Sequence, residues 1–177
     1  MKNLIENSQK IRAITLTSMM LAVVVVLSAL ESMLPPLPGT LPGIRLGLAN
    51  VVTMYALFFL SKKQAFLLVG FKAFFVFVTR GVLAGVLSAA GGILSLFVII
   101  LLLFSKKTSY IVLSASGAMA FNFAQIGAAS FILNTNLLII YWPYIILGGI
   151  ILGSITGKIL HAIIPYFERI GNKESKK

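Results

Sequence analysis

The stretch Glu31 to Asn50 reads ESMLPPLPGTLPGIRLGLAN, and it decides how the rest of the chain is read. It holds four of the six prolines, in a chain that is 59% hydrophobic. Pro35, Pro36, Pro38 and Pro42 fix φ and lack a backbone donor, so no helix continues through them. Gly39 and Gly43 permit tight turns there. An apolar run enters this stretch and another leaves it. Non-helical backbone at membrane depth survives only where protein buries it or where it faces water. The stretch is therefore expected to be a structured cap over one end of a helical bundle. Glu31, Arg45 and Asn50 are expected to point into a cavity below it.

Working outward, the 177 residues contain several apolar runs of a length suited to membrane crossing. The expected fold class is all-α: one integral membrane domain, a bundle of six transmembrane helices with an extracellular Pro/Gly-rich cap after the first. The helices are placed at about 13–33, 43–61, 64–80, 92–105, 109–133 and 143–164. Pro42 suits the first position of the second helix. The segment GVLAGVLSAAGG after Arg80 reads as a small-residue link before the fourth helix. Asn134, Thr135 and Asn136 read as a turn, and Leu137 to Trp142 as an interfacial segment. The first apolar run is too long for a signal peptide, and no small-x-small cleavage site precedes Glu31.

The net charge is +11. In a soluble chain that would suggest nucleic acid, but here the basic residues flank apolar runs, so no nucleic-acid partner is expected. With six crossings both termini share one side. Twelve Lys and Arg fall on that side, against Arg45 and Arg80 on the other, with Lys72 between. By the positive-inside rule both termini are expected in the cytoplasm, in a multi-pass protein of the cytoplasmic membrane.

Seven polar residues within or beside the apolar runs form the candidate substrate site: Glu31, Arg45, Asn50, Lys72, Arg80, Asn122 and Gln125. Lys72 lies nine residues past Lys63, ~13 Å into the membrane along a helix. A cation at that depth is either a ligand contact, one half of a structural pair with Glu31, or a lysine snorkelling to the interface. Glu31 is a ligand contact, a partner of Arg45 or Arg80, or an interfacial carboxylate. The two arginines offer forks for carboxylate or phosphate, or anchor the interface. Asn50 sits one turn below Arg45, and Asn122 and Gln125 share a helix face. Interhelical hydrogen bonding accounts for all three amides as well as ligand contact does. All seven share the outer half of the membrane, which suggests one net-positive pocket for a small anionic or amphipathic molecule. Gly149, Gly153 and Gly157 form a stripe for close helix packing or for docking a membrane partner.

The chain has no cysteine and a single histidine, His161. Its acidic residues are Glu6, Glu31, Glu168 and Glu174, with no aspartate. No nucleophile–base pair, metal cluster or phosphate-binding loop can be assembled. An enzyme is not expected, nor is a cofactor or metal.

The segment ALESMLPPLPGTLPGIRLGLANVVTMYAL, strongest at PGIRLGLAN (Pro42 to Asn50), resembles the Gx transporter family, also described as heptaprenyl diphosphate synthase component I. That family is similar to the substrate-binding S components of energy-coupling factor transporters. The resemblance implies six helices, an outward pocket capped by the loop after the first helix, and docking onto a transmembrane coupling protein driven by ATPase subunits. S components often carry an AxxxA-type stripe on the first helix, where this chain has Ala13/Thr17 and Ser18/Ala22. A second implied role is a non-catalytic membrane subunit or scaffold in isoprenoid or quinone metabolism or flavin-based extracellular electron transfer. Prenyl diphosphate synthases hold magnesium diphosphate on aspartate-rich motifs, which a chain without aspartate does not supply.

Overall fold

The computed structural model describes residues 2–33, 50–104 and 108–174, all helical apart from short links. Six helices follow in order: α1 (Lys2–Met33), α2 (Asn50–Phe59), α3 (Lys62–Arg80), α4 (Val82–Leu103), α5 (Tyr110–Leu133) and α6 (Leu137–Glu174). The Pro/Gly-rich segment 34–49, and with it the expected cap, Pro42 and Arg45, lies outside the described residues.

Short polar links reverse the chain. Ser61 caps α3, its hydroxyl accepting from the Gln64 N–H at 3.2 Å. The Gln64 amide in turn donates to the Ala13 carbonyl on α1 at 3.4 Å. At the other end of α3, the Arg80 guanidinium donates to the Ser28 carbonyl at 2.7 Å. These two bonds run α1 and α3 side by side in the same direction. Between α3 and α4 the corner turns on Gly81 alone, at φ 90° and ψ 175°, a backbone state that glycine adopts without a steric cost. Asn134 closes α5 in the left-handed conformation at φ 52°, which asparagine tolerates better than most residues. The expected turn at 134–136 is present.

Two expected helices are corrected in extent. The fourth helix begins at Val82, not near residue 92, so the small-residue segment is helix rather than link. Its glycines serve packing: a Cβ at Gly85 would stand 2.7 Å from that of Phe77, and one at Gly92 would stand 2.6 Å from a Val69 methyl. The sixth helix runs unbroken from 137 to 174 instead of from 143 to 164, through both Pro143 and Pro165. Each proline removes one donor from the ladder, a loss that helices in a bundle tolerate.

Among the described residues, four segments are long and apolar enough to cross a membrane: 13–33, 82–103, 110–133 and 139–159. Their outward faces carry large apolar side chains such as Met19, Val26, Phe97, Phe131 and Ile151, as expected of a surface solvated by lipid. The described part of α2 has 10 residues, about 15 Å of rise. It is wrapped by its neighbours, and Val52 to Leu57 are all buried. Tyr55, Ala56 and Leu57 join Val24, Leu68, Leu96, Ile99 and Leu113 in one core.

The most intimate packing joins α5 to α6. A Cβ on Gly157 would stand 2.7 Å from the Ile111 Cα, and Cβ atoms on Gly153 and Gly149 would collide with Ala115 and Met119. The stripe Gly149/Gly153/Gly157 thus meets Ile111/Ala115/Met119 at matching four-residue spacing, antiparallel, with backbones nearly touching. Of its two expected uses, packing inside the bundle is the one the structure shows.

Candidate functional site

The site is built on the inward face of α3. Ala65, Leu68, Val69, Lys72 and Val76 are its buried residues, spaced at the three- and four-residue intervals of one helix face. Lys72 is therefore turned into the bundle with the apolar stripe, and only 3% of it is exposed. Its ammonium donates to Asn50 Oδ1 at 2.9 Å and lies 4.7 Å from the centre of the Phe121 ring. Asn50 opens α2 and Phe121 lies midway along α5, so one lysine ties three helices together. A desolvated cation over an aromatic face gains about 2 kcal/mol. This geometry rules out snorkelling. It pairs the lysine with an amide and a ring.

Lys72 also lines a small cavity with Ser28, Glu31, Val76, Arg80, Ala84, Ser88, Phe121 and Gln125. Glu31 and Arg80 are the charged groups that act on the Lys72 ammonium. Glu31 is 5% exposed, a carboxylate near the end of α1 held inside the protein. The cavity volume is ≈ 20 Å³, room for one or two waters. Ser28 Oγ, Ser88 Oγ and Gln125 Oε1, buried in its lining, lack a hydrogen-bond partner among the described residues. A buried polar atom left unpaired costs free energy, so the wall has hydrogen-bonding capacity to give.

Four of the seven sequence candidates, Glu31, Lys72, Arg80 and Gln125, thus share one cavity. Asn50 reaches it through its bond to Lys72 and lines a second, smaller space with Ser95, Ser114 and Thr156. Asn122 stands apart from this group. Although three residues from Gln125, it faces α6, where a Cβ on Gly148 would lie 3.8 Å from its amide nitrogen. Arg45 is outside the described residues. The sequence reading missed Ser28, Ser88 and Phe121. Helical phase was the available signal for the first, since Ser28 lies three residues before Glu31 on α1.

The geometry takes its context from comparison with other proteins. The family model for heptaprenyl diphosphate synthase component I matches residues 20–163, most of the 177-residue chain. The chain belongs to the heptaprenyl diphosphate synthase component I family. No curated protein and no solved structure matches it. The part shared with the heptaprenyl diphosphate synthase component I family contains the whole cavity, the Lys72–Asn50 bond and the α5–α6 seam.

Proposed function

We propose that this protein is the membrane-embedded substrate-binding subunit of an uptake system, handling a small anionic or amphipathic molecule in the manner of an S component. One observation carries the reading: a small polar cavity inside the helical bundle, lined by Lys72, Arg80 and Glu31 and by the buried polar atoms Ser28 Oγ, Ser88 Oγ and Gln125 Oε1. Ionisable groups at membrane depth are expensive and mark ligand or ion sites. In this reading Lys72, Arg80 and Arg45 set the charge of the site. Gln125, Asn50 and Asn122 orient ligand or hold helices, and segment 34–49 caps the cavity. The chain itself hydrolyses nothing. Energy comes from a transmembrane coupling protein with ATPase subunits. All six helices cross or enter the membrane, with α2 and α3 forming one re-entrant or tilted pair, and both termini are cytoplasmic.

The family's name favours a second reading, a non-catalytic membrane component that partners a prenyl diphosphate synthase. The absence of aspartate argues against a catalytic share in that chemistry, since diphosphate–magnesium chemistry calls on clustered carboxylates. Affinity purification from native membranes separates the two, with mass spectrometry of both proteins and small molecules. Recovery of a coupling protein with ATPases, and of a solute that is lost from Lys72→Ala, is the expected result. Recovery of a prenyl synthase subunit with no ATPase and no solute would overturn it.

A further inference from the structure

Two small spaces lie in the interior of the bundle, with one hydrogen bond between them. Lys72 lines the first, Asn50 lines the second, and the Lys72 ammonium donates to Asn50 Oδ1 at 2.9 Å. The second space has a volume of ≈ 10 Å³, with Met54, Ser95, Ser114 and Thr156 around it, room for one water. The helices set the two in line along the bundle axis. On α4 the lining passes from Ser88 in the first to Ser95 in the second, about 10 Å of rise. On α5, which runs back, it passes from Gln125 to Ser114, roughly 16 Å. Both linings carry polar atoms in need of partners. Ser28 Oγ, Ser88 Oγ and Gln125 Oε1 in the first, and Ser114 Oγ in the second, lack a hydrogen-bond partner among the described residues. Their residues are 0%, 4%, 3% and 2% exposed, and atoms so buried are costly to leave unpaired. An ammonium carries three donors, and the bond to Asn50 uses one. The Asn50 amide carries two N–H donors of its own.

We infer that both spaces are water sites, joined through the Lys72–Asn50 bond into one polar track along the bundle axis. One or two waters in the first bridge Ser28, Ser88 and Gln125 to the Lys72 ammonium. One water in the second bridges Ser114 to the Asn50 amide. The serine hydroxyls and the Gln125 carbonyl then have partners, and the ammonium is hydrated as well as hydrogen-bonded. Volume and lining agree on this occupant, since a buried water needs about one probe sphere of space and two to four polar partners. The core of Tyr55, Leu57 and Leu68 beside the track is apolar and belongs to neither lining. The track is a property of the bundle whether or not the first space also takes a solute, so it does not rest on the uptake reading.

The test is hydroxyl-radical footprinting of the full chain in mild detergent. Millisecond X-ray pulses split water where it sits, and mass spectrometry reads which side chains are oxidised. Phe121 in the first lining and Met54 in the second are each 2% exposed, so bulk water does not reach them. Tyr55 and Leu68, 9% and 0% exposed and in neither lining, are the references. Corrected for the reactivity of each side chain, Phe121 and Met54 should be oxidised several-fold faster than the references. Ser114→Val should cut the Met54 label several-fold and leave that of Phe121. Asn50→Leu should cut both, because it removes a wall of the second space and releases the ammonium that lines the first. Continued protection of Tyr55 shows that a variant is folded. Should Ser114→Val not fold, Ser114→Ala removes the hydroxyl without adding bulk and takes its place. Labels at Phe121 and Met54 no greater than at the references would overturn the water sites. A Phe121 label untouched by Asn50→Leu would overturn the joint between them.

Discussion

Lys72 survives inside an apolar bundle because the Asn50 amide and the Phe121 ring hold its ammonium while the Glu31 carboxylate acts on it, and the two neutral partners are removable. Asn50→Leu takes away the acceptor at 2.9 Å and leaves a buried cation short of one hydrogen bond. A loss of about 2 kcal/mol is expected, read as a lower unfolding temperature in detergent. Lys72→Met in the Asn50→Leu background should recover part of that loss, because an apolar pair of similar shape leaves no charge to satisfy. At the corner between α3 and α4, Gly81→Ala places a Cβ at φ 90°. Nothing crowds it there, so the expected cost of roughly 1 to 3 kcal/mol is backbone strain alone. Lys72 was the most legible of the site residues, because a lone charge nine positions from the Lys62–Lys63 pair has few explanations. Ser28 and Ser88 were not legible. Serine is common in membrane helices, and composition does not distinguish a hydroxyl facing a cavity from one bonded to its own backbone, as Ser32 is to Ala29. The split of Asn122 from Gln125 was equally hidden. Three residues on a helix differ by about 60° in direction, enough to put one amide in the cavity and the other against α6.

Among the elements, glycine means opposite things at different places, and this is where boundaries were misread. At Gly81 it makes a turn. Along α4 and α6 it is a groove for a neighbouring helix. Gly70 and Gly127 have nothing within 4 Å of a built Cβ, so Gly70→Ala and Gly127→Ala should be neutral or stabilising by up to about 1 kcal/mol. Gly157→Val, by contrast, drives a side chain into the Ile111 backbone and should prevent α5 and α6 from closing. The expected readout is loss of monodisperse protein on size-exclusion chromatography for Gly157→Val, with normal yield for the two alanine variants. Ser61 was read as the last residue of the second helix and is the cap of α3, whereas the helix end at Asn134 was read correctly, because a polar turn is a local chemical signal. Helix ends inferred from glycine or proline alone, at residue 92 and at Pro143, were not, because neighbouring helices decide whether such a residue breaks a helix or packs within it.

For the molecule as a whole, the helices run alternately, so that Lys62, Ser109 and His161 gather at one end and Glu31, Arg80 and Asn136 at the other. Tyr110 reflects this arrangement, with its ring against Phe58 and His161. The proposed orientation puts the first end in the cytoplasm, where the positive-inside rule would have it. The chain has no cysteine, which makes the assignment directly measurable. Asn136→Cys should react with a membrane-impermeant maleimide added to intact cells. Asn7→Cys should react only after the membrane is opened. The reverse pattern would invert the proposed topology.

The glycine seam between α5 and α6 also has a bearing on how the protein is made. The two helices are consecutive and joined by a three-residue link, so closing their contact costs little loop entropy. That hairpin is able to zip as soon as both halves have left the insertion machinery. Helix α1 has no such neighbour: its tethers, Ala13 to Gln64 and Ser28 to Arg80, are not complete until α3 has been synthesised. During biogenesis the first helix inserted therefore waits for these tethers to α3. Nascent chains arrested before Arg80 should consequently be the ones captured by membrane quality control, whereas chains arrested after α4 should already be protected.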